Sequence, residues 1–199
     1  MKNLSEQRAE FIEKSIPYIC KKGFSKEAMQ DVSEALGKEI IYYRILFPDI
    51  TEIVECFEHM EDARMLKKIG KKKEGSSTTL HIGEMLKYRI KEISGGKEML
   101  LRLKEYYFSV KHISEGPKAI WRTSDVIWKA AGDKSLDMNY YSKRFLLSSV
   151  YTMSLRHYLS RDNENIDEFI AKSLDKVVKI AGRLKLPKME DIPIVRLFS

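Results

Sequence analysis

The chain has 199 residues, 36 lysines and arginines against 29 acids for a net charge of +7, and only two cysteines. That length sustains a sizeable core without disulfides, and Cys20 and Cys56, each inside an apolar helical pattern, read as buried thiols of a reducing compartment rather than a bridge or a metal site. No run approaches the roughly twenty apolar residues of a membrane span, and the early acids Glu6, Glu10 and Glu13 argue against a transit peptide, so the expected location is cytoplasmic, peripheral at most to the inner membrane face.

Apolar residues recur at helical spacing almost throughout and strand-like alternation is absent, which predicts an all-α chain. A first helix is expected over about 5–22, burying Phe11, Ile12, Ile16 and Ile19 and ending at Gly23. Ser25 caps a second helix to Leu36, Gly37 turns the chain, and a third short helix covers Glu39 to Leu46. Asp49, with Glu52 three residues on, opens a fourth helix as an acidic variant of a capping box. The run Gly70 to Ser77 reads as a charged, glycine-flanked joint. Further helices are expected from Thr78 or Thr79 to Ile93, from Lys97 to Ile113, from a Ser124 cap to Gly132, from a Ser135 cap to Ser160, and from Asn165 to Leu184, with Gly116-Pro117 as a break. These divide into a helix-turn-helix-like unit over 1–48 and a larger helical part over 49–199.

Charge is unevenly spread. Residues 49–66 hold six acids and one base, whereas 67–104 hold eleven bases and four acids. Lys67, Lys68, Lys71, Lys72 and Lys73 are therefore either a solvated joint or a contact for an anionic membrane surface. The first 50 residues, with Tyr42, Tyr43, Phe47 and Pro48 after the turn, resemble the helix-turn-helix end of TetR-type regulators. The candidate recognition helix, however, offers Arg44 alone among Glu39 and apolar residues, and the acidic helix behind it is expected to repel phosphates. DNA binding is not expected, although a TetR-type regulator sensing an apolar ligand stays open as the alternative function.

No catalytic or metal-ligand spacing is found. His59, His81, His112 and His157 are scattered, and the Glu55/His59 pair alone is too little for a site. No cofactor and no enzymatic activity are expected. The densest polar and aromatic cluster is 127–144, where Asp137, Tyr140 and Arg144 share one face of the long helix with Tyr141 beside them. Asp133 and Asp137 near a helix start suit capping as well as recognition, and Trp128 suits core. The long helix is apolar nearly all round, which calls for helices on several sides plus a partner subunit or an apolar ligand. Leu103, Tyr107, Val126, Leu146, Val150 and Tyr151 are the pocket candidates by periodicity.

The segment Trp128-Lys-Ala-Ala-Gly-Asp-Lys-Ser135, then Asp137, Asn139-Tyr-Tyr-Ser-Lys-Arg144, resembles the signature of the ubiquinone-biosynthesis accessory proteins often called Coq-nine. His112-Ile113, Pro117-Lys118-Ala119, Tyr151 and Asp167 to Phe169 extend the likeness, as does Leu46-Phe47-Pro48-Asp49 in the TetR-like first third. The resemblance implies a TetR-like helical bundle that has lost DNA reading, dimerises, sits at a membrane, binds an isoprenoid lipid or quinone precursor, and presents it to the pathway's di-iron hydroxylase. It implies a docking patch at Ile127, Asp137, Tyr140 and Tyr141, with Arg144 as an orienting partner. The chain departs from the family at Tyr140-Tyr141, where Trp-Tyr is usual, and at Gly116, where a Trp is usual. An apolar tail with Ile192, Ile194, Val195, Leu197 and Phe198, interrupted by Pro187 and Pro193, stands in place of the family's amphipathic last helix.

Overall fold

The computed structural model describes residues 3–160 and 165–183, the last three by backbone only, so the apolar tail lies outside the described residues. Nine helices and no strand are found among them: α1 (Leu4–Lys22), α2 (Lys26–Ala35), α3 (Tyr42–Leu46), α4 (Ile50–Ile69), α5 (Thr78–Lys91), α6 (Gly96–Tyr107), α7 (Glu115–Ala130), α8 (Met138–Leu159) and α9 (Ile166–Arg183). The all-α reading is borne out.

Compactness divides the chain elsewhere than at residue 48. Among the described residues, one unit joins the chain up to Lys67 to 91–119, and the other joins 68–90 to the chain from Ile120 onward. The helix-turn-helix-like segment does not stand alone because α1 packs on α6 as well as on α2 and α3. Arg102 of α6 donates from Nε to the Cys20 carbonyl at 3.0 Å. Gly95, at φ +82°, lets the start of α6 approach that carbonyl end of α1 so closely that a Cβ there would lie 2.9 Å from Cys20 Sγ.

Within the first unit, Asn3 and Glu6 form a capping box on α1, and Ser25 caps α2 through the Ala28 amide. Phe11 packs on Phe47 with ring centroids 5.8 Å apart. This aromatic pair, with buried Tyr43 and Leu46, anchors α3. α3 has only five residues instead of the expected eight, because Ile41 precedes it without a side-chain cap. Asp49 caps α4 by accepting from the Glu52 amide at 3.1 Å. The acids of α4 do not form the exposed negative face expected of them. Glu58, Glu61 and Asp62 are buried, and Arg64 binds both Glu61 and Glu13.

The second unit pairs α8 with α9. Three boundaries differ from expectation, each because a serine or proline does something other than the expected task. α6 stops at Tyr107, where Ser109 Oγ donates to the Tyr106 carbonyl at 2.7 Å. Pro117 lies in the first turn of α7 rather than breaking the chain, since its missing N–H falls where no helical bond is lost. Ser124 lies mid-helix, bonding back to the Ile120 carbonyl at 2.8 Å. Asp137, not Ser135, caps α8, accepting from the Asn139 amide at 2.9 Å.

Candidate functional site

The connection from α7 to α8 is built around one buried guanidinium. Arg144 is 1% exposed. Its Nε donates to Asp125 Oδ1 at 2.8 Å, and its Nη1 donates to Asp133 Oδ2 at 2.7 Å and to the Tyr140 carbonyl at 3.2 Å. The same guanidinium lies 3.6 Å over the Tyr140 ring. Tyr140 returns the contact, its hydroxyl donating to Asp125 at 3.1 Å. Lys143 Nζ reaches Asp133 at 2.6 Å and Ser135 Oγ at 2.7 Å, and Lys129 closes on Asp125 at 2.7 Å. Trp128 donates its indole N–H to the Lys143 carbonyl at 3.0 Å.

Two carboxylates therefore face three cations in a sheltered place. Burial disfavours ionisation of Asp133, but hydrogen bonds from Lys143, Arg144 and Ser135 outweigh it and hold the carboxyl well below the usual carboxylate range. Asp125 is lowered likewise: burial opposes the charge, and Lys129, Arg144 and Tyr140 overcome it. Both acids are thus ionised near neutral pH and hold Arg144 in place.

The residues singled out in the sequence separate into two groups. Ile127 is fully buried, so it and Arg144 form the interior of the cluster and offer no side-chain surface. Asp137 is exposed but engaged as the α8 cap. Tyr140 is half-buried, and Tyr141 is 58% exposed, meeting Tyr140 edge-on at 5.1 Å and Trp121 at 6.4 Å. Around Tyr141 on the same helix, Met138 and Phe145 are also exposed, and Leu136 precedes them, fully open. The face follows i, i+3 and i+7 from Met138 and is apolar. Sequence reasoning passed over Asp125 and Trp121. Asp125 stands four residues before Lys129, and Trp121 four before Asp125, a helical spacing that carried the missing signal.

The pocket candidates do not gather within one unit. Leu103 and Tyr107 stand on α6 in the first; Val126, Leu146, Val150 and Tyr151 belong to the second, where Val150 and Tyr151 are buried. A cleft of about 300 Å³ in the first unit is lined by none of them, but by Phe24, Arg102, Tyr106 and His112 among others. No cluster of metal-ligating side chains is found among the described residues, and no helix there is long and apolar enough to cross a membrane. In the basic segment, Lys67, Lys68, Lys71 and Lys73 are exposed, while Lys72 bonds the Ser76 carbonyl. On the surface of the first unit, where a recognition helix would read bases, Ile40, Ile41 and Ile45 are exposed.

The family model whose match falls on this site is COQ9, over residues 113–181. The second half of the chain carries a COQ9 segment. It takes in all of α7 and α8, the Arg144 cluster and the apolar face beside it. A probable ubiquinone biosynthesis protein coq9, mitochondrial, of Dictyostelium discoideum is 26% identical over 186 residues, covering 87% of this chain. The chain spans 60% of the length of that COQ9 relative. A TetR transcriptional regulator from Nitrosomonas europaea superposes with a TM-score of 0.63 at 16% identity, covering 89% of this chain and 99% of its own. The fold is TetR-like, as read from the sequence, and the COQ9 match over 113–181 agrees with the family resemblance.

Proposed function

We propose that this chain is a non-enzymatic accessory protein of ubiquinone biosynthesis, which binds an isoprenoid lipid or quinone precursor and presents it to the pathway's di-iron hydroxylase. The observation that carries the reading is the exposed face of Tyr141, Met138 and Phe145 standing on the buried Arg144 frame inside the COQ9 segment. Exposed aromatic side chains held by a rigid base are what a docking surface needs, because little conformational freedom is lost on binding. Tyr140 and Asp137 border the face; Ile127 and Arg144 act from behind it.

The reading includes a homodimer and peripheral contact with an anionic membrane. The test is capture of the purified hydroxylase by the full chain and by a Tyr141→Ala/Phe145→Ala variant: loss of capture supports the docking face, and unchanged capture rejects it. Native mass spectrometry of the purified chain tests the lipid, and repeated absence of any isoprenoid mass rejects that part.

The alternative of a TetR-type regulator has the fold behind it. It is disfavoured by Ile40, Ile41 and Ile45, exposed where phosphate and base contacts require polar and basic groups. A specific, salt-dependent gel shift with the protein's own upstream DNA would reinstate it.

A further inference from the structure

The turn between α6 and α7 half-buries Ser109 and His112 and leaves its large apolar residues out. Ser109 bonds the Tyr106 carbonyl, and the His112 ring stacks on Tyr106 at 4.1 Å with an interplanar angle of 17°. Backbone bonds from His112 to Ser109 at 3.0 Å and from Glu115 to His112 at 2.9 Å fix the turn in this orientation. Phe108, Val110 and Ile113 are left 75%, 94% and 62% exposed. An ordered turn that shelters a serine and a histidine while holding three large apolar groups in water runs against burial preference, and it calls for something apolar to cover them.

Charge selects the occupant. The acids of this segment are taken up locally, Glu105 by Arg102 at 3.0 Å and Glu115 by Lys118 at 3.0 Å. Lys104, in the last turn of α6, and Lys111, between Val110 and His112, are exposed and in no ion pair among the described residues. Side chains this exposed project from the surface rather than line a groove, and apolar projections flanked by unpaired lysines match the lipid interface, which takes apolar groups between anionic headgroups.

We propose that the α6–α7 turn inserts Phe108, Val110 and Ile113 into the interface of an anionic membrane, with Lys104 and Lys111 on the headgroups. The inference rests on the membrane contact proposed above and gives it a site distinct from the Lys67–Lys73 run and from the tail.

The test is flotation of the full chain with phosphatidylcholine vesicles containing about one-third phosphatidylglycerol, and with pure phosphatidylcholine vesicles. Phe108→Ser/Val110→Ser/Ile113→Ser should cut partitioning onto anionic vesicles at least about ten-fold. Lys104→Gln/Lys111→Gln should cut it by about five-fold per lysine on anionic vesicles alone. Lys71→Gln/Lys72→Gln/Lys73→Gln should cost less than either. Val110→Asp, at the most exposed position of the turn, repeats the loss in a chain whose melting curve matches the parent's. Wild-type flotation of both turn variants, Val110→Asp included, overturns the turn assignment while the membrane reading stands. If the parent floats with neither vesicle, both fall. Self-association lost on substituting the turn, without vesicle binding, would give this surface to a second copy of the chain and equally overturn the proposal.

Discussion

Replacing Arg144 by methionine removes the centre of the α7–α8 frame while keeping most of its volume. Three hydrogen bonds, two of them to carboxylates, disappear from a side chain that is 1% exposed. Removing one partner of a buried ion pair costs about 3–5 kcal/mol, because the other charge stays buried without compensation. Here Lys143 still holds Asp133 and Lys129 still holds Asp125, which places the expected loss at the low end, about 3 kcal/mol. For a chain of this size that corresponds to a fall in Tm of about 6–12 °C. Thermal melts followed by circular dichroism, with urea titrations to extract the free energy, measure it. Asp133→Asn in the Arg144→Met background should cost less than the same change in the parent, since the carboxylate has already lost one of its two cationic partners. A fall in Tm of under about 2 °C would refute the buried frame, as would strict additivity of the two substitutions.

Stability should also depend on pH through the same acids. The folded carboxyl of Asp133 lies below its unfolded value, so its stabilisation is fully present above about pH 4 and is lost as pH falls toward the folded value. The parent Tm should therefore drop as pH falls below about pH 4, with Asp133→Asn flatter across that range. Tyr140→Phe, which deletes the hydroxyl bonded to Asp125, should cost about 1 kcal/mol in urea titration. Tyr141→Ser and Phe145→Ser should each change stability by no more than about 0.5 kcal/mol but weaken hydroxylase binding at least about ten-fold by interferometry. Gly95→Ala should lose about 2 kcal/mol in urea titration, since its φ is +82° and its Cβ would crowd Cys20, Met99 and Ile16.

Helix starts were legible where a side chain caps the nearest available amide, as with Ser25 and Asp49. They were misread where two candidates compete. Asp133 and Lys143 occupy Ser135, which leaves the cap to Asp137, and no local spacing reports a tertiary engagement of that kind. Burial along α8 was legible only in part: Tyr151 and Val150 are buried as a helical pattern suggests, but Arg144 is buried too. A guanidinium reads as surface until the two carboxylates from the preceding helix and loop are known to converge on it. The sequence cluster at 127–144 was thus the right region, while Ile127, which the resemblance placed in the docking patch, is interior. The acids of α4 show the same gap. Their count was right, but burial removes Glu58, Glu61 and Asp62 from the surface, and Arg64, within their own helix, pairs with Glu61.

The frame and the face at α7–α8 draw on different forces. Ion pairs around Arg144 hold the shape, whereas Tyr141, Met138 and Phe145 stand exposed and are expected to add little to stability. On the docking face proposed above, the exposed positions would be open to exchange at little folding cost, and the partner would be altered by rewriting three side chains on an unchanged chassis. A proposed interaction surface this separable from its foundation would let the chain follow changes in a partner without first restabilising the fold.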